Sequence, residues 1–284
     1  YEIGSGLVGS EMCIRDRIQQ MAKRMRLQAL HMAYRAGKTG AHLGGGLSCI
    51  EILATLYGGC AAIDAKNPLW EERDRILIGK AHAVLAYDTA LYEMGFLTQE
   101  NLDSFEQDGS DLVGHPMRNL QHGIEFSGGS LGMALSVGCG MALDAKVKGR
   151  KHRVYVLLGD GECEEGAIWE AMMSAAKMKL HNLTVIIDNN HLQYDGKTEE
   201  VGGFTDIEAK LKAFGFMTIT CDGHDVSSLL QAFSQKSDDQ PIAIIADTIK
   251  GKGVSFMEND PLWHHAELKE ADYERARAEI EKEM

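Results

Sequence analysis

Apolar and polar positions alternate along this chain in two rhythms. From about Ile18 to Ala36, Met21, Met25, Leu27 and Leu30 recur at helical spacing, which predicts an amphipathic helix that stops at Gly37. The Gly-rich stretch Gly40–Gly46 follows, then a second helix from about Cys49 to Tyr57, a short strand Arg75–Ile78 and a helix beginning near Ala83. In the middle the rhythm changes. Val154–Leu158 and Leu183–Ile187 are continuous apolar runs, suited to strands buried on both faces. Between them Glu164 to Lys179 reads as a helix, with acids at its start and lysines at its end as the helix dipole prefers. The alternation recurs as strand Phe216–Cys221, helix Ser227–Gln235 and strand Ile242–Ala246. An acidic stretch from Leu268 onward predicts an exposed terminal helix. Strand, helix, strand in this order implies an α/β fold, a mostly parallel twisted sheet with helices on both faces.

Composition narrows the partners. Of 284 residues, 42 are acidic and 29 basic, and the net charge of −13 argues against a nucleic-acid backbone or an anionic membrane. The one basic run, Lys146 to Arg153, reads as a solvated turn. Six cysteines are scattered without a C-x-x-C pair, the pattern of reduced thiols in a cytoplasmic protein. The longest uncharged stretch, Phe126 to Leu143, is Gly-rich and serine-interrupted, unlike a membrane span. Residues 1–17 carry Gly-Ser punctuation matching nothing downstream and are expected to be a non-native leader or a disordered N-terminus. Residues 18–284 are then expected to form one domain, since no repeat or linker divides them.

The chemistry gathers where two strands end. Parallel strands joined by a crossover helix expose their carboxyl ends on one edge, so Asp160 and Asn190 meet there although 30 positions apart. A carboxylate and an amide oxygen suit magnesium or calcium, and magnesium usually completes its shell with phosphate oxygens and water. Gly159 and Gly161 allow close backbone approach, and the helix just beyond offers N–H groups to an anion. Glu162, Glu164 and Glu165 would repel a bare diphosphate, a conflict that a divalent metal resolves.

Gly-Asp-Gly after a buried strand, 27 intervening residues, then Asn-Asn resembles the thiamine-diphosphate motif. In that family the Asp, the second Asn and a carbonyl two residues later hold the metal, here Asp160, Asn190 and the backbone of Leu192. GAHLGGGLS (Gly40–Ser48), GKAHA (Gly79–Ala83), GHP (Gly114–Pro116), SGGSLGMALS (Ser127–Ser136), LQYDGKT (Leu192–Thr198), DGHD (Asp222–Asp225) and IKGKGVSFMEN…WHH (Ile249–His265) stand in transketolase order. From Ile18 onward the chain is similar to the N-terminal, diphosphate-binding subunit of a split transketolase. Leu43 departs from the family's usual Pro, as do Gly79 and Ala81 around Lys80 and His82, and Ser130, Met133 and Ala134 in the cofactor loop. None of these removes a metal ligand or a motif histidine.

The resemblance implies two-carbon ketol transfer from a ketose donor to an aldose acceptor, with thiamine diphosphate and Mg2+ (Ca2+ as a substitute) as cofactors. It implies that His42 and His115 face the sugar, that His82 and His264 contact the diphosphate or the reacting centre, and that Gly129 and Leu131 meet the aminopyrimidine. Gly161 falls beside the diphosphate, and Glu165 where the family has an interface carboxylate whose alternative role is a helix-start charge. His265 competes with His264 for its assignment. For His224, in DGHD, a turn role stands beside a catalytic one, while His31, His122, His152, His181 and His191 are expected at the surface or in packing. The expected partner is a C-terminal subunit with pyrimidine-binding and C-terminal domains, in a heterotetramer acting on sugars or sugar phosphates. The alternatives are another thiamine-diphosphate enzyme, such as a deoxyxylulose-phosphate synthase or a 2-oxo acid dehydrogenase component, and a non-catalytic cofactor-binding subunit.

Overall fold

A computed structural model describes residues 5–203 and 205–282, with side chains from residue 13 onward. Five strands form a single sheet: β1 (Arg75–Ile78), β2 (Val154–Gly159), β3 (Leu183–Asn189), β4 (Met217–Asp222) and β5 (Ile242–Asp247). Their order is β1-β2-β3-β5-β4, and every pairing is parallel. Alternation along each strand divides the core into two layers. Tyr155, Leu157, Ile186, Ile242 and Ile244 face one cluster, and Val154, Val156, Val185, Ile187 and Ile245 face the other.

Eleven α-helices surround the sheet among the described residues: α1 (Ser5–Arg35), α2 (Leu43–Leu47), α3 (Ile50–Thr55), α4 (Val84–Glu93), α5 (Gln99–Asp103), α6 (Met133–Val147), α7 (Gly166–Lys177), α8 (Thr198–Val201), α9 (Ile207–Ala213), α10 (Val226–Phe233) and α11 (Glu270–Lys282). Helices α1, α3, α4 and α10 cover one face through Met25, Leu53, Leu85 and Leu229. Helices α6, α7 and α9 cover the other through Leu135, Met172 and Leu211.

The helices differ from the expectations in several places. Helix α1 begins at Ser5, so part of the stretch set aside as a leader is helical, while residues 1–4 lie outside the described residues. The Gly-rich stretch, which helix propensity leaves without an element, contains α2, with all five of its residues buried. Helix α3 ends at Thr55 in a π-type turn, Leu56–Cys60, where glycine lets α1 come close. A Cβ on Gly58 would meet Met21 Sδ at 2.9 Å, and one on Gly59 would meet Ile18 Cδ1 at 2.9 Å. Lys146 is not part of a solvated turn but belongs to the last turn of α6, and its Nζ donates to the Met178 and Lys179 carbonyls beyond α7, at 2.7 and 3.0 Å. The terminal helix α11 is not exposed all round, because Ala276 and Ile280 are buried and Tyr273 stacks on Tyr34 of α1 at 4.7 Å. All six cysteines are unpaired, and no described helix is long and apolar enough to cross a membrane.

Candidate active site

The carboxyl ends of β1, β2, β3 and β5 converge on one edge, and the loops leaving them build a cavity of 280 Å³. Its floor is a buried polar cluster. Asp188, the penultimate residue of β3, is wholly withdrawn from water, as is its partner Lys80, two residues beyond β1. Lys80 Nζ and Thr248 Oγ1 bond its carboxylate directly, Ser48 Oγ donates to it at 2.6 Å and Asn190 Nδ2 at 3.2 Å. Burial pushes the Asp188 carboxyl upward, but Lys80 and the hydroxyl donors more than offset this and hold it below the ordinary value. The pair is therefore ionic. Because Asn190 spends its N–H group on Asp188, its Oδ1 turns the other way, where it accepts Leu192 N at 3.1 Å.

Asp160 follows β2 directly on the same edge and is 4% exposed. Its Oδ1 accepts Gly161 N at 2.9 Å and its Oδ2 accepts Thr198 Oγ1 at 3.1 Å. Burial, then the neighbouring Asp188 charge, raise its carboxyl. Among the described residues no three His, Cys, Asp or Glu side chains converge as a metal site. Oxygen-bearing residues of the cavity lining include Asp160, Asn190 and Leu192, which offer a carboxylate, an amide and a peptide carbonyl, hard donors of the type magnesium takes alongside water or phosphate ligands.

Lys250, three residues beyond β5, is 2% exposed and reaches across the cavity to the Leu192 and Gln193 carbonyls at 2.9 and 3.2 Å. Burial, then Lys80, bring its ammonium down to about 8, so it is still a cation at neutral pH. Glycines keep this wall thin. A Cβ on Gly44 would stand 3.1 Å from Lys250 Cγ, and one on Gly45 2.8 Å from His82 Cδ2, so the packing of α2 against these two side chains explains its glycines.

Histidines fill the opposite wall. The His42 ring lies 5.5 Å from those of His82 and His115, 5.6 Å from His264 and 4.5 Å from His265. Burial, helped by neighbouring rings and Lys250, lowers His42 to about 4; burial and Lys250 lower His264 to about 3. Burial and Lys80 hold His82 well below its usual value. These three are neutral imidazoles at pH 7. His264 Nδ1 is buried without a hydrogen-bond partner, an orphan that a bound ligand would satisfy. His265 is exposed and outside the cavity lining, whereas His264 is within it and packs against Tyr194 at 5.0 Å.

The loop bearing Gly129 and Leu131 closes the third side. Gly128 N donates to Pro116 O at 2.9 Å and joins this loop to the one carrying His115. Gly132, at φ 82°, gives its N–H to Glu162 Oε1 at 3.0 Å. Burial raises the Glu162 carboxyl to about 7.

The cavity thus gathers His42, His82, His115, Gly129, Leu131, Asp160, Gly161, Asn190, Leu192 and His264. Glu165 is not among them; it is exposed at the start of α7, its Cβ against Gly132. Sequence reasoning placed Glu162 beside the diphosphate but missed Lys80, Lys250 and Tyr194 as wall residues. The available signal was position, since both lysines fall two or three residues past a buried strand. A larger hollow of 550 Å³ adjoins Asp160, but Glu199, Asp206, Glu208 and Asp247 give it an acidic lining unsuited to a diphosphate.

A family model described as transketolase, thiamine diphosphate binding domain, matches residues 18–283. One subunit of the apulose-4-phosphate transketolase of Actinobacillus succinogenes is 36% identical over 269 residues, covering 94% of this chain and 97% of its own length. The 6-deoxy-6-sulfo-D-fructose transketolase subunit SqwG of Clostridium sp. is 39% identical over 250 residues, covering 87% and 91%. The crystal structure of transketolase from Campylobacter jejuni matches with a TM-score of 0.87 at 29% identity, over 94% of this chain and 43% of that one. The chain therefore spans about two fifths of that larger transketolase.

Proposed function

The chain belongs to the transketolase family, matched over its thiamine-diphosphate-binding domain, and from that premise we propose that it is the metal- and diphosphate-binding subunit of a split transketolase. Its reaction is the transfer of a two-carbon ketol group from a ketose to an aldose. The observation that carries this reading is the cavity, in which three hard oxygen donors, the Lys250 cation and neutral histidines share one small space.

Asp160, Asn190 and the Leu192 carbonyl would hold Mg2+, with Ca2+ as a substitute, against a diphosphate. Lys250 and His82 would meet the diphosphate oxygens, with Gly161 beside them. Gly129 and Leu131 would offer backbone groups to the pyrimidine ring. Thiamine diphosphate supplies, when bound, the electron sink for breaking and making the carbon–carbon bond. His42, His115 and His264 face the space left for the sugar. As neutral rings, His42 and His264 can take a proton from a sugar hydroxyl or steady a developing oxyanion, the work such groups do in proton-transfer steps.

Two features support a second polypeptide. Relatives named as single subunits of a transketolase match this chain over 97% and 94% of their own length. Beside the cavity, Leu131 of its lining is 38% exposed, and Met117 and Met133, each two residues from a lining residue (His115 and Leu131), are 53% and 50% exposed. The partner would bring pyrimidine-binding and C-terminal domains in a heterotetramer, with Glu165 at the contact. The relatives' names give a sugar phosphate and a sulfosugar as substrates, so the far end of the sugar is a matter for the partner and the ketol end for this chain. The test is ketose-to-aldose transfer with this chain, its partner and both together, each with Mg2+ and thiamine diphosphate. Activity only in the mixture is expected; turnover by this chain alone, free of partner by mass spectrometry, would overturn the split reading.

A further inference from the structure

His224 lies outside the cavity, in the turn between β4 and α10, and the proposed chemistry makes no use of it. Both its ring nitrogens are nevertheless engaged. Nε2 accepts the Ile249 N–H at 2.8 Å, and Nδ1 lies 3.0 Å from Glu51 Oε2. A ring nitrogen that accepts an N–H carries no proton, so the neutral ring bears its proton on Nδ1 and donates it to Glu51. Glu51 Oε1 also receives Arg26 Nη2 at 2.6 Å, and Arg26 Nε donates to the Lys252 carbonyl at 3.0 Å. The path leaves the loop after β5 at Ile249 and returns to it at Lys252. It brackets the lysine between them.

That bracket has a geometric consequence. Lys250 must cross the cavity to the Leu192 and Gln193 carbonyls, and its own backbone decides where the side chain starts. The loop is also held through Gly251 N to Gly44 O at 3.0 Å and Asn259 N to Lys250 O at 2.8 Å, both downstream of the point His224 holds. At Ile249, the residue directly before the lysine, the His224 ring is what meets the backbone N–H. An imidazole is rigid and presents acceptor and donor at a fixed angle, so Glu51 on α3 sets the ring and the ring sets Ile249. Arg26 and Glu51 are 6% and 8% exposed, which keeps water from substituting for either link.

We propose that His224 is a positioning residue for the cofactor site: it touches no ligand, but through the Ile249 N–H it fixes Lys250 where the diphosphate binds. This rests on the role given to Lys250 above. The test is calorimetry of thiamine diphosphate with Mg2+ on the chain as purified with its companion subunit. Lys250→Met should weaken binding by about ten- to a hundredfold, the range for a charge-assisted hydrogen bond. His224→Phe keeps the ring but loses both bonds and should weaken it by roughly three- to tenfold. His224→Gln, whose Oε1 can take the Ile249 N–H, should recover most of that loss. The double variant His224→Phe/Lys250→Met should bind no more weakly than Lys250→Met alone. Additive losses, or wild-type affinity in His224→Phe, would overturn the inference. Wild-type affinity in Lys250→Met would instead remove the role of Lys250 itself, and the inference with it. Nitrogen NMR of the unaltered protein is a check that needs no variant. It should find the His224 proton on Nδ1, and a proton on Nε2 would overturn the proposal.

Discussion

Replacing Asp88 by asparagine should stabilise the protein at neutral pH, and the size of the gain follows from its surroundings. Asp88 lies in α4, the helix that begins two residues after His82, and is 1% exposed. Its Oδ1 has no hydrogen-bond partner. Burial alone pushes the carboxyl up to about 8, with no cation beside it to resist. A carboxyl raised in this way holds its proton more tightly in the folded chain than in the unfolded one. Its contribution to stability is therefore fully present below about pH 4, the unfolded value, and is lost as the pH rises toward 8. The loss is about 1.4 kcal/mol for each pH unit crossed, or roughly 4 kcal/mol by pH 7.

Asparagine has the shape of the neutral acid at every pH. Wild type and Asp88→Asn should therefore differ by only about 1 kcal/mol near pH 4.5, and the variant should pull ahead as the pH rises, by up to about 4 kcal/mol at pH 7. Urea unfolding of both proteins between pH 4.5 and 7.5 reads the difference directly, because every other titration cancels. A difference that stays flat with pH, or a variant less stable at pH 7, would refute the reasoning and mean that Asp88 is ionised with a partner.

Other outcomes bear on the site. His42 and His264 are depressed below the ordinary histidine value by burial, so in the unliganded protein the unfolded chain takes up protons first and stability should fall as pH drops from about 6.5 toward 4; His42→Gln, followed by the same unfolding measurement, should shallow that fall. His115→Ala should lower the ketol-transfer rate by roughly 10²–10⁴ while leaving thiamine-diphosphate affinity nearly unchanged, and a variant that loses cofactor but turns over normally at saturation would contradict that division. Gly45→Ala should displace His82, since the added Cβ would lie 2.8 Å from its ring, and a steady-state assay should register weaker cofactor binding; unaltered binding would mean the wall yields without consequence.

The centre of the sheet was legible because β2, β3 and β5 are buried on both faces. Val154–Leu158 and Leu183–Ile187 are almost entirely apolar, and only Thr184 interrupts them. Asp160 and Asn190 were legible for a related reason, since the parallel crossover forces both to the same edge whatever the intervening helix contains. Other features depended on contacts that a linear reading does not hold. Three consecutive glycines have poor helix propensity, yet they form α2, where Lys250, His82 and Leu85 crowd the positions a Cβ would take on Gly44, Gly45 and Gly46. Lys80 and Lys250 look in sequence like ordinary solvated lysines, and only the sheet edge reveals their buried carboxylate and carbonyl partners. Asp188 looks like a strand terminus, but it is still within β3 and points into the floor of the cavity. Helix α11 looks exposed because its charges outnumber its apolar residues, although Ala276 and Ile280 suffice to bury one side against α1.

The central claim is that Asp160 shares a divalent ion with a diphosphate in this cavity. Calorimetric titration of thiamine diphosphate into the assembled protein, with and without Mg2+, tests it most directly when wild type is compared with Asp160→Ala. Wild type should bind tightly only when Mg2+ is present. The variant should lose roughly a hundredfold or more in affinity, beyond the range seen when only an outer-shell partner of a metal is removed, and should become indifferent to Mg2+. Equal, Mg2+-dependent affinity in wild type and Asp160→Ala would contradict the account.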